Sequence, residues 1–247
     1  MKVADLVIQA EFIARTFKGL NVTFIGDGDA VSLSAMHLRE REVFSEAPCR
    51  ITVLDFDERI VNSINDFASH NNLTDKIHAV LYNVCDPLPK EFCRSFGAFY
   101  TNPPWGASND GQSVTCFVRR GIEAIKPAGL GAIVIADDNT LPWTGQVLHR
   151  TQRMLIDAGF IVSEMIPSLH RYHLDDAPDL ASCCMLARDV IGLPEEGKSE
   201  ALPKEALINF YGRSNPLRVH YIRDRAGLNR GKAPEQSYEL IPISDDQ

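Results

Sequence analysis

No stretch of the sequence approaches the roughly 20 consecutive apolar residues that a membrane-spanning helix needs. The opening MKVADLVIQAEFIARTFKG carries charges inside its apolar pattern, unlike a secretion signal. Both absences lead us to expect a cytoplasmic protein with no membrane partner. The six cysteines, at 49, 85, 93, 116, 183 and 184, form no C-x-x-C pair and have no histidine at zinc-ligand spacing. They read as reduced, mostly buried thiols, and no metal is expected. Positive charge is also short: the formal net charge of -8 argues against broad nucleic-acid binding and suits a small cationic substrate. No internal repeat or low-complexity tract is present.

What the sequence does have is alternation. Apolar residues Val3, Leu6, Val7, Ala10, Ile13 and Phe17 recur at three- and four-residue steps, predicting a helix that Gly19 ends. Short apolar runs then alternate with helical patterns. The predicted strands are 21–26, 51–55, 76–84, 96–101, 130–136 and 160–166. Helices are predicted over 30–42, 57–70, about 112–126 and about 146–158. Such alternation implies an α/β fold, a doubly wound, mostly parallel sheet with helices on both faces. After 166 comes a loop, RYHLDDAPDL, and a last apolar strand over about 181–188. We divide the chain into a Rossmann-like transferase domain with an N-terminal helix (1–190) and a linker with a basic C-terminal extension (191–247). The linker is acidic and bears prolines. Between 211 and 232 the extension carries six basic residues, Arg213, Arg218, Arg223, Arg225, Arg230 and Lys232, against the single acid Asp224. A solvated or self-docking tail is the plainer reading, and an arm for a polyanion such as nucleic acid is the other.

In an open parallel sheet, ligands sit at the carboxyl ends of the strands. Those ends read GDGD (26–29), DFD (55–57), VCD (84–86), NPPW (102–105) and ADDN (136–139). Gly26 and Gly28 permit a tight turn and close approach of a ligand, but no third glycine completes a dinucleotide fingerprint. Asp55 stands 29 residues after Gly26, where a carboxylate can accept both ribose hydroxyl hydrogens of an adenosine, with Phe56 beside it. Asp86 could accept the adenine amino group. The expected ligand is a sulfonium nucleoside, S-adenosylmethionine or its decarboxylated form, acting as a donor substrate. Asp55 could instead serve a helix N-terminus, a task Asp57 can perform equally well.

Pro103 and Pro104 remove two backbone donors and hold the chain extended. Asn102 adds a side-chain oxygen and Pro103 a backbone oxygen, able to take hydrogens from an amine and aim its lone pair. Trp105 offers a face for a base or an ammonium group. The stretch therefore reads as a device for positioning an amine. Asp27, Asp29, Asp137, Asp138, Asp175 and Asp176 are candidates for binding a cation or taking its proton. Tyr172, flanked by the less informative His170 and His173, is placed in a loop facing the site.

The motif N-P-P-W is similar to the [DN]-P-P-[YFW] signature of amino-group methyltransferases. A longer match is more specific. FIGDGDAVSLSAM, ITVLDFDERIVNSI, NVCDPLPKEF, FGAFYTNPPWG and CFVRRGIEAIKPAG resemble, in order and spacing, the catalytic domain of the branched-chain polyamine synthases, from about residue 12 to 190. The resemblance implies a sheet of the class I methyltransferase type. It also implies aminopropyl transfer from decarboxylated S-adenosylmethionine to an amine of a polyamine. By it, Gly26 to Asp29 match the family's glycine-and-three-aspartates motif, Asp55 the ribose-binding acid, and Asn102 to Trp105 the D-P-P block. Two positions depart: the family's middle aspartate, regarded as the base, is Gly28 here, and the D-P-P aspartate is Asn102. Ahead of the first strand, where the family carries an N-terminal winged-helix-like domain, the sequence leads us to expect a single helix.

Three functional readings follow. An alkyl transferase acting on a polyamine-like amine fits the negative charge. An N-methyltransferase acting on an amino nitrogen of a nucleic acid base or a protein amide fits Asn102 and the basic extension. A nucleoside-binding homologue without catalysis fits Gly28. A homodimer is compatible with all three.

Overall fold

A computed structural model describes residues 3–172, 180–194, 198–225 and 238–244. Its centre is a seven-stranded sheet. In chain order the elements are α1 (Val3–Thr16), β1 (Asn21–Ile25), α2 (Val31–Glu40), β2 (Arg50–Asp55), α3 (Glu58–His70), β3 (Ile77–Leu81) and β4 (Phe96–Thr101). They continue with α4 (Gln112–Ala124), β5 (Ile125–Ala136), α5 (Pro142–Asp157), β6 (Phe160–Tyr172) and β7 (Leu180–Asp189). A short 3-10 turn (Lys204–Leu207) and the strands β8 (Val219–Asp224) and β9 (Tyr238–Pro242) follow. The sheet order is β3-β2-β1-β4-β5-β7-β6. The first five strands are parallel, and β7 runs antiparallel to both β5 and β6. This is the expected doubly wound, mostly parallel Rossmann-like sheet of the class I methyltransferase type.

Alternation along the strands divides the core between the two faces of the sheet. Val22, Phe24, Val53, Tyr100 and Val134 pack with Ile13 of α1, Phe17 just after it and Ile64 of α3. Phe99, Ile133 and Ile135 pack on the other face with Val114 and Val118 of α4 and Leu155 of α5. Tight approach replaces side chain on that face: a Cβ at Gly121 or Gly131 would run into the Phe99 ring.

Several boundaries differ from the sequence reading, each for a local reason. The strand expected over 76–84 ends at Leu81, because Asn83 Oδ1 accepts from Cys85 N (2.9 Å) and turns the chain. Helix α4 stops at Ala124, and β5 begins at once with Ile125 instead of at 130. Helix α5 starts earlier than 146, at Pro142, whose fixed φ and missing N–H suit a first turn. Residues 167–172, expected as loop, extend β6, which pairs along its length with β7 out to Tyr172↔Leu180. Nor is β7 the last strand, since β8 and β9 form a hairpin-like pair after it.

The region expected as linker and extension packs on the body. Leu202, Ala206, Phe210 and Leu217 belong to the same apolar core as Phe99. Arg120 is fully buried on α4. It donates to Val84 O (3.0 Å), Glu123 Oε2 (2.7 Å), Ser199 Oγ (2.7 Å) and Glu200 O (2.8 Å). Its charge is thus neutralised while it ties residues 199–200 to the turn after β3.

Gly121→Ala should lower stability by about 1–3 kcal/mol, because the Phe99 ring must shift. Gly145→Ala, where an added Cβ meets nothing within 4 Å, should be neutral or slightly stabilising. Denaturant midpoints of the two variants check this.

Candidate active site

The site lies where β1 and β4 are neighbours, the point at which the strand order turns back on itself. Their register, Val22↔Ala98 to Phe24↔Tyr100, brings the chain after β1 beside the chain after β4. Thr101 Oγ1 ties the two ends by donating to Ile25 O (2.8 Å). Gly26 leaves β1 with φ +76°, in the left-handed region, and a Cβ there would press on Phe117 at 3.3 Å.

Three cavities meet at this point. One of about 240 Å³ is lined by Gly26, Gly28, Asp55, Phe56, Asn83 and Pro104 among others. A larger one of about 670 Å³ is lined by Asp29, Asn102, Trp105, Trp143, Tyr172 and Tyr211 among others. A small one of about 150 Å³ joins Gly26 through Asp29 to Tyr100 and Asn102. Asn102 lines all three. No Lys, Arg or His is among the described residues lining any of them.

Asp55 ends β2 and is almost fully buried. Its two oxygens accept from the backbone of Asp27 (2.9 Å) and of Asp57 (2.9 Å). Burial pushes this carboxyl up to about 6, against the pull of those two N–H groups. The helix-capping task falls to Asp57, which accepts from Arg59 N (2.9 Å) and pairs with the Arg59 guanidinium (2.6 Å). Asp55 is thereby left to face the 240 Å³ cavity with Phe56.

Asp27, expected in catalysis, lines the small cavity and is at the same time tied to the start of α2. Its carboxylate accepts from Val31 N (2.9 Å), Ser32 N (3.1 Å) and Ser32 Oγ at the start of α2. Burial pushes it up to about 7 in spite of those bonds.

Asp29 is the acid that faces the large cavity. It accepts from Asn102 Nδ2 (2.6 Å) and the Tyr172 hydroxyl (3.1 Å), and Asn102 Nδ2 also reaches the Tyr172 oxygen. Tyr172 stands edge-on to Trp105, with ring centroids 4.8 Å apart. Burial and the neighbouring Asp29 hold the Tyr172 hydroxyl well above its ordinary range, so it acts as a neutral donor. Trp105 Nε1 is buried without a hydrogen-bond partner. Pro103 also lines this cavity.

Other expected residues are placed elsewhere. Asp86 does not line the 240 Å³ cavity; it accepts from His220 Nε2 (2.7 Å) and the Tyr221 hydroxyl (3.1 Å) of β8. The early end of β3 turns it away. Asp137 and Asp138 line none of the three cavities, and Asp138 accepts from Thr140 N (2.9 Å) and Thr140 Oγ1 (2.6 Å) in the turn before α5. His173, Asp175 and Asp176 lie outside the described residues, as do Arg230 and Lys232.

The sequence reading missed the wall supplied by the C-terminal part. Phe210 and Tyr211 line both larger cavities, and Leu217 lines the smaller of the two. Strand β8 runs beside the Asp55 loop, Ile222 N donating to Phe56 O (3.1 Å), while Asn83 Nδ2 donates to Val219 O (3.2 Å) and His220 O (2.6 Å). Of the extension's arginines, Arg223 pairs with Glu58 (3.3 Å) and the Arg225 Nε with Glu239 (3.1 Å). The available signal was the apolar cluster Ala206, Leu207, Ile208, Phe210 and Tyr211, with Leu202 before it and Leu217 after it.

Comparison with known proteins agrees with this geometry. Residues 12–187 match the family described as the branched-chain polyamine synthase A C-terminal domain. The N(4)-bis(aminopropyl)spermidine synthase of Methanocaldococcus jannaschii is 29% identical over 156 residues, 62% of this chain and 40% of that protein. The protein of the same name from Thermus thermophilus is 27% identical over 158 residues, 63% of this chain and 41% of that protein. The chain spans about two fifths of the length of the curated relatives it matches. Among solved structures, the branched-chain polyamine synthase from Thermus thermophilus, in complex with N4-aminopropylspermidine and 5'-methylthioadenosine, superimposes with a TM-score of 0.63. Its identity is 20%, and the match covers 82% of this chain and 61% of that one. An N-methyltransferase from Bradyrhizobium japonicum superimposes with a TM-score of 0.51 at 14% identity, over 75% of this chain and 95% of that one. At these identities the superpositions establish the fold.

Asp55 and Asp27 hold their protons to higher pH in the folded chain than in the unfolded one. The stability they contribute is therefore present below about pH 4 and is lost as pH rises toward about 7. A ribose diol donating to Asp55 favours its ionised form, so adenosine should bind more tightly as pH rises from about 5 to 7. Asp55→Asn should weaken adenosine by about tenfold to a hundredfold and remove most of that slope. Calorimetric titration at several pH values checks both.

Proposed function

Because the chain belongs to the branched-chain polyamine synthase A C-terminal domain family, we propose that it transfers an aminopropyl group from decarboxylated S-adenosylmethionine to an amine of a polyamine-like acceptor. The adenosine of the donor occupies the cavity at Asp55 and Phe56. The acceptor occupies the larger cavity, and the two reactants meet at Asn102. The observation that carries this reading is the charge of the lining: Asp29 and Asp55 face these cavities with no cationic side chain among the described residues. Such a lining favours a cationic donor without an α-carboxylate and a polycationic acceptor.

The chemistry follows from the arrangement. A free polyamine nitrogen is protonated at neutral pH, its pKa being close to that of lysine, about 10.4. Asp29 draws the ammonium in and takes its proton, while Asn102 and Tyr172 fix the carboxylate through the hydrogen bonds they donate to it. The freed lone pair attacks the propyl carbon attached to sulfur. That carbon–sulfur bond breaks as the carbon–nitrogen bond forms, and methylthioadenosine leaves as a neutral thioether. Rings of Trp105, Trp143, Tyr172 and Tyr211 line the rest of the acceptor cavity, where they suit the remaining ammonium groups by cation–π contact.

Gly28 stands where the family resemblance places an aspartate, and an added Cβ there meets nothing within 4 Å. Asp29 serves as the base in its stead. A second reading, methyl transfer from S-adenosylmethionine to an amino nitrogen, rests on the amide at Asn102 alone, since a neutral acceptor needs no strong base.

Purified protein incubated with decarboxylated S-adenosylmethionine and spermidine should release methylthioadenosine and add one aminopropyl mass to the amine. Asp29→Asn should cut that turnover by about 10²-fold or more while nucleoside affinity stays within a few-fold. Gly28→Asp should raise it. Product from labelled S-adenosylmethionine but not from the decarboxylated donor would replace this reading with the second. Binding of both donors without consumption of either would leave a nucleoside-binding homologue.

A further inference from the structure

A second cluster of chemically able side chains lies outside the cavities just described. Cys85 Sγ, the Asp86 carboxylate and His220 Nε2 lie within 4.8 Å of one another. Among the described residues this is the one group of three His, Cys, Asp or Glu side chains placed so closely. Cys85 and Asp86 come from the turn after β3, and His220 from β8, 134 residues away in sequence from Asp86.

We propose that Cys85, Asp86 and His220 bind one zinc ion, which fastens the C-terminal segment to the carboxyl end of β3. Cysteine, histidine and carboxylate are the ligand types zinc takes, with bonds of about 2.0–2.3 Å that hold ligand atoms roughly 3–4 Å apart. The separations here suit that spacing: Sγ stands 3.7 Å from Asp86 Oδ1, and His220 Nε2 stands 2.7 Å from Oδ2. Only a small withdrawal of the imidazole is needed to admit the ion. The ligands also have support behind them. The Tyr221 hydroxyl donates to Asp86 Oδ2 (3.1 Å), and the Asn83 amide holds the backbone of Val219 and His220 while its oxygen holds Cys85 N. Outer partners of this kind orient metal ligands. Cys85 and Asp86 also line a cavity of about 620 Å³ that leaves room for water in the fourth position.

Binding replaces the thiol proton of Cys85 with the metal, and that proton passes to solvent. Leu217, three residues before His220, walls the cavity at Asp55, so the ion would steady that wall as well. The site stands on residues separate from those proposed for transfer.

The test uses the whole chain freed of any purification tag. Zinc chloride titrated by calorimetry should bind one equivalent and release protons. Cobalt(II) should show the thiolate charge-transfer band and the visible bands of a four-coordinate ion. Cys85→Ser should abolish the charge-transfer band, and His220→Ala should abolish stoichiometric binding. Tyr221→Phe should weaken zinc by about tenfold. Zinc should raise the thermal midpoint of the wild type and leave that of His220→Ala unchanged, with adenosine binding reporting that the variant is folded. A cobalt complex without a thiolate band, or zinc affinity equal in wild type and Tyr221→Phe and His220→Ala, would overturn the assignment.

Discussion

The site depends on the register between β1 and β4. With Val22 opposite Ala98 and Phe24 opposite Tyr100, the glycine-bearing turn at Gly26 and the N-P-P-W segment leave the sheet side by side. The helices that follow turn to opposite faces, which is why a crevice opens there in a doubly wound sheet. Two constraints then fix its edge. Gly26 takes a left-handed φ, and the proline pair holds 102–105 out of any helix. Asn102 is consequently held at the junction of the cavities, with Asp29 and Tyr172 around it.

Electrostatics gives that geometry its direction. Burial holds Asp27 and Asp55 near 7 and 6, so a ligand that donates to Asp55 must also favour its charged form. Asp27 is held against the start of α2 by three hydrogen bonds, from Val31 N, Ser32 N and Ser32 Oγ. Asp29 faces the large cavity. Of these two carboxylates in one tetrapeptide, the first is tied to the start of α2 and the other is bonded to Asn102 and Tyr172, with Gly28 between them.

The fold was legible because its signal is periodic: apolar strands and amphipathic helices alternate from Asn21 onward, and the sheet follows. The cavity positions of Asp55 and Asn102 were legible because the first ends β2 and the second directly follows β4, strands whose ends were read within a residue or two. Asp86 was misplaced because the turn made by Asn83 ends β3 early, a local hydrogen bond that periodicity cannot register. Tyr172 was named, but as part of a loop; its strand is imposed by pairing with β7. The wall made by Phe210, Tyr211 and Leu217 was missed, since its apolar residues follow an acidic, proline-bearing stretch and show no strand or helix period. The grouping of Cys85 and Asp86 with His220 was hidden for a related reason: spacing in sequence says nothing of side chains brought together across 134 positions or more.

The central claim is that these cavities, with no cationic side chain among the described residues that line them, take a donor without an amino-acid carboxylate. Calorimetric affinities of the wild-type chain for methylthioadenosine, decarboxylated S-adenosylmethionine and S-adenosylhomocysteine test it most directly. The account predicts that the two ligands lacking the carboxylate bind about tenfold or more tightly than S-adenosylhomocysteine, a difference of about 1.4 kcal/mol or more. Equal or tighter binding of S-adenosylhomocysteine would contradict it and place the carboxylate in a site that this reading denies it.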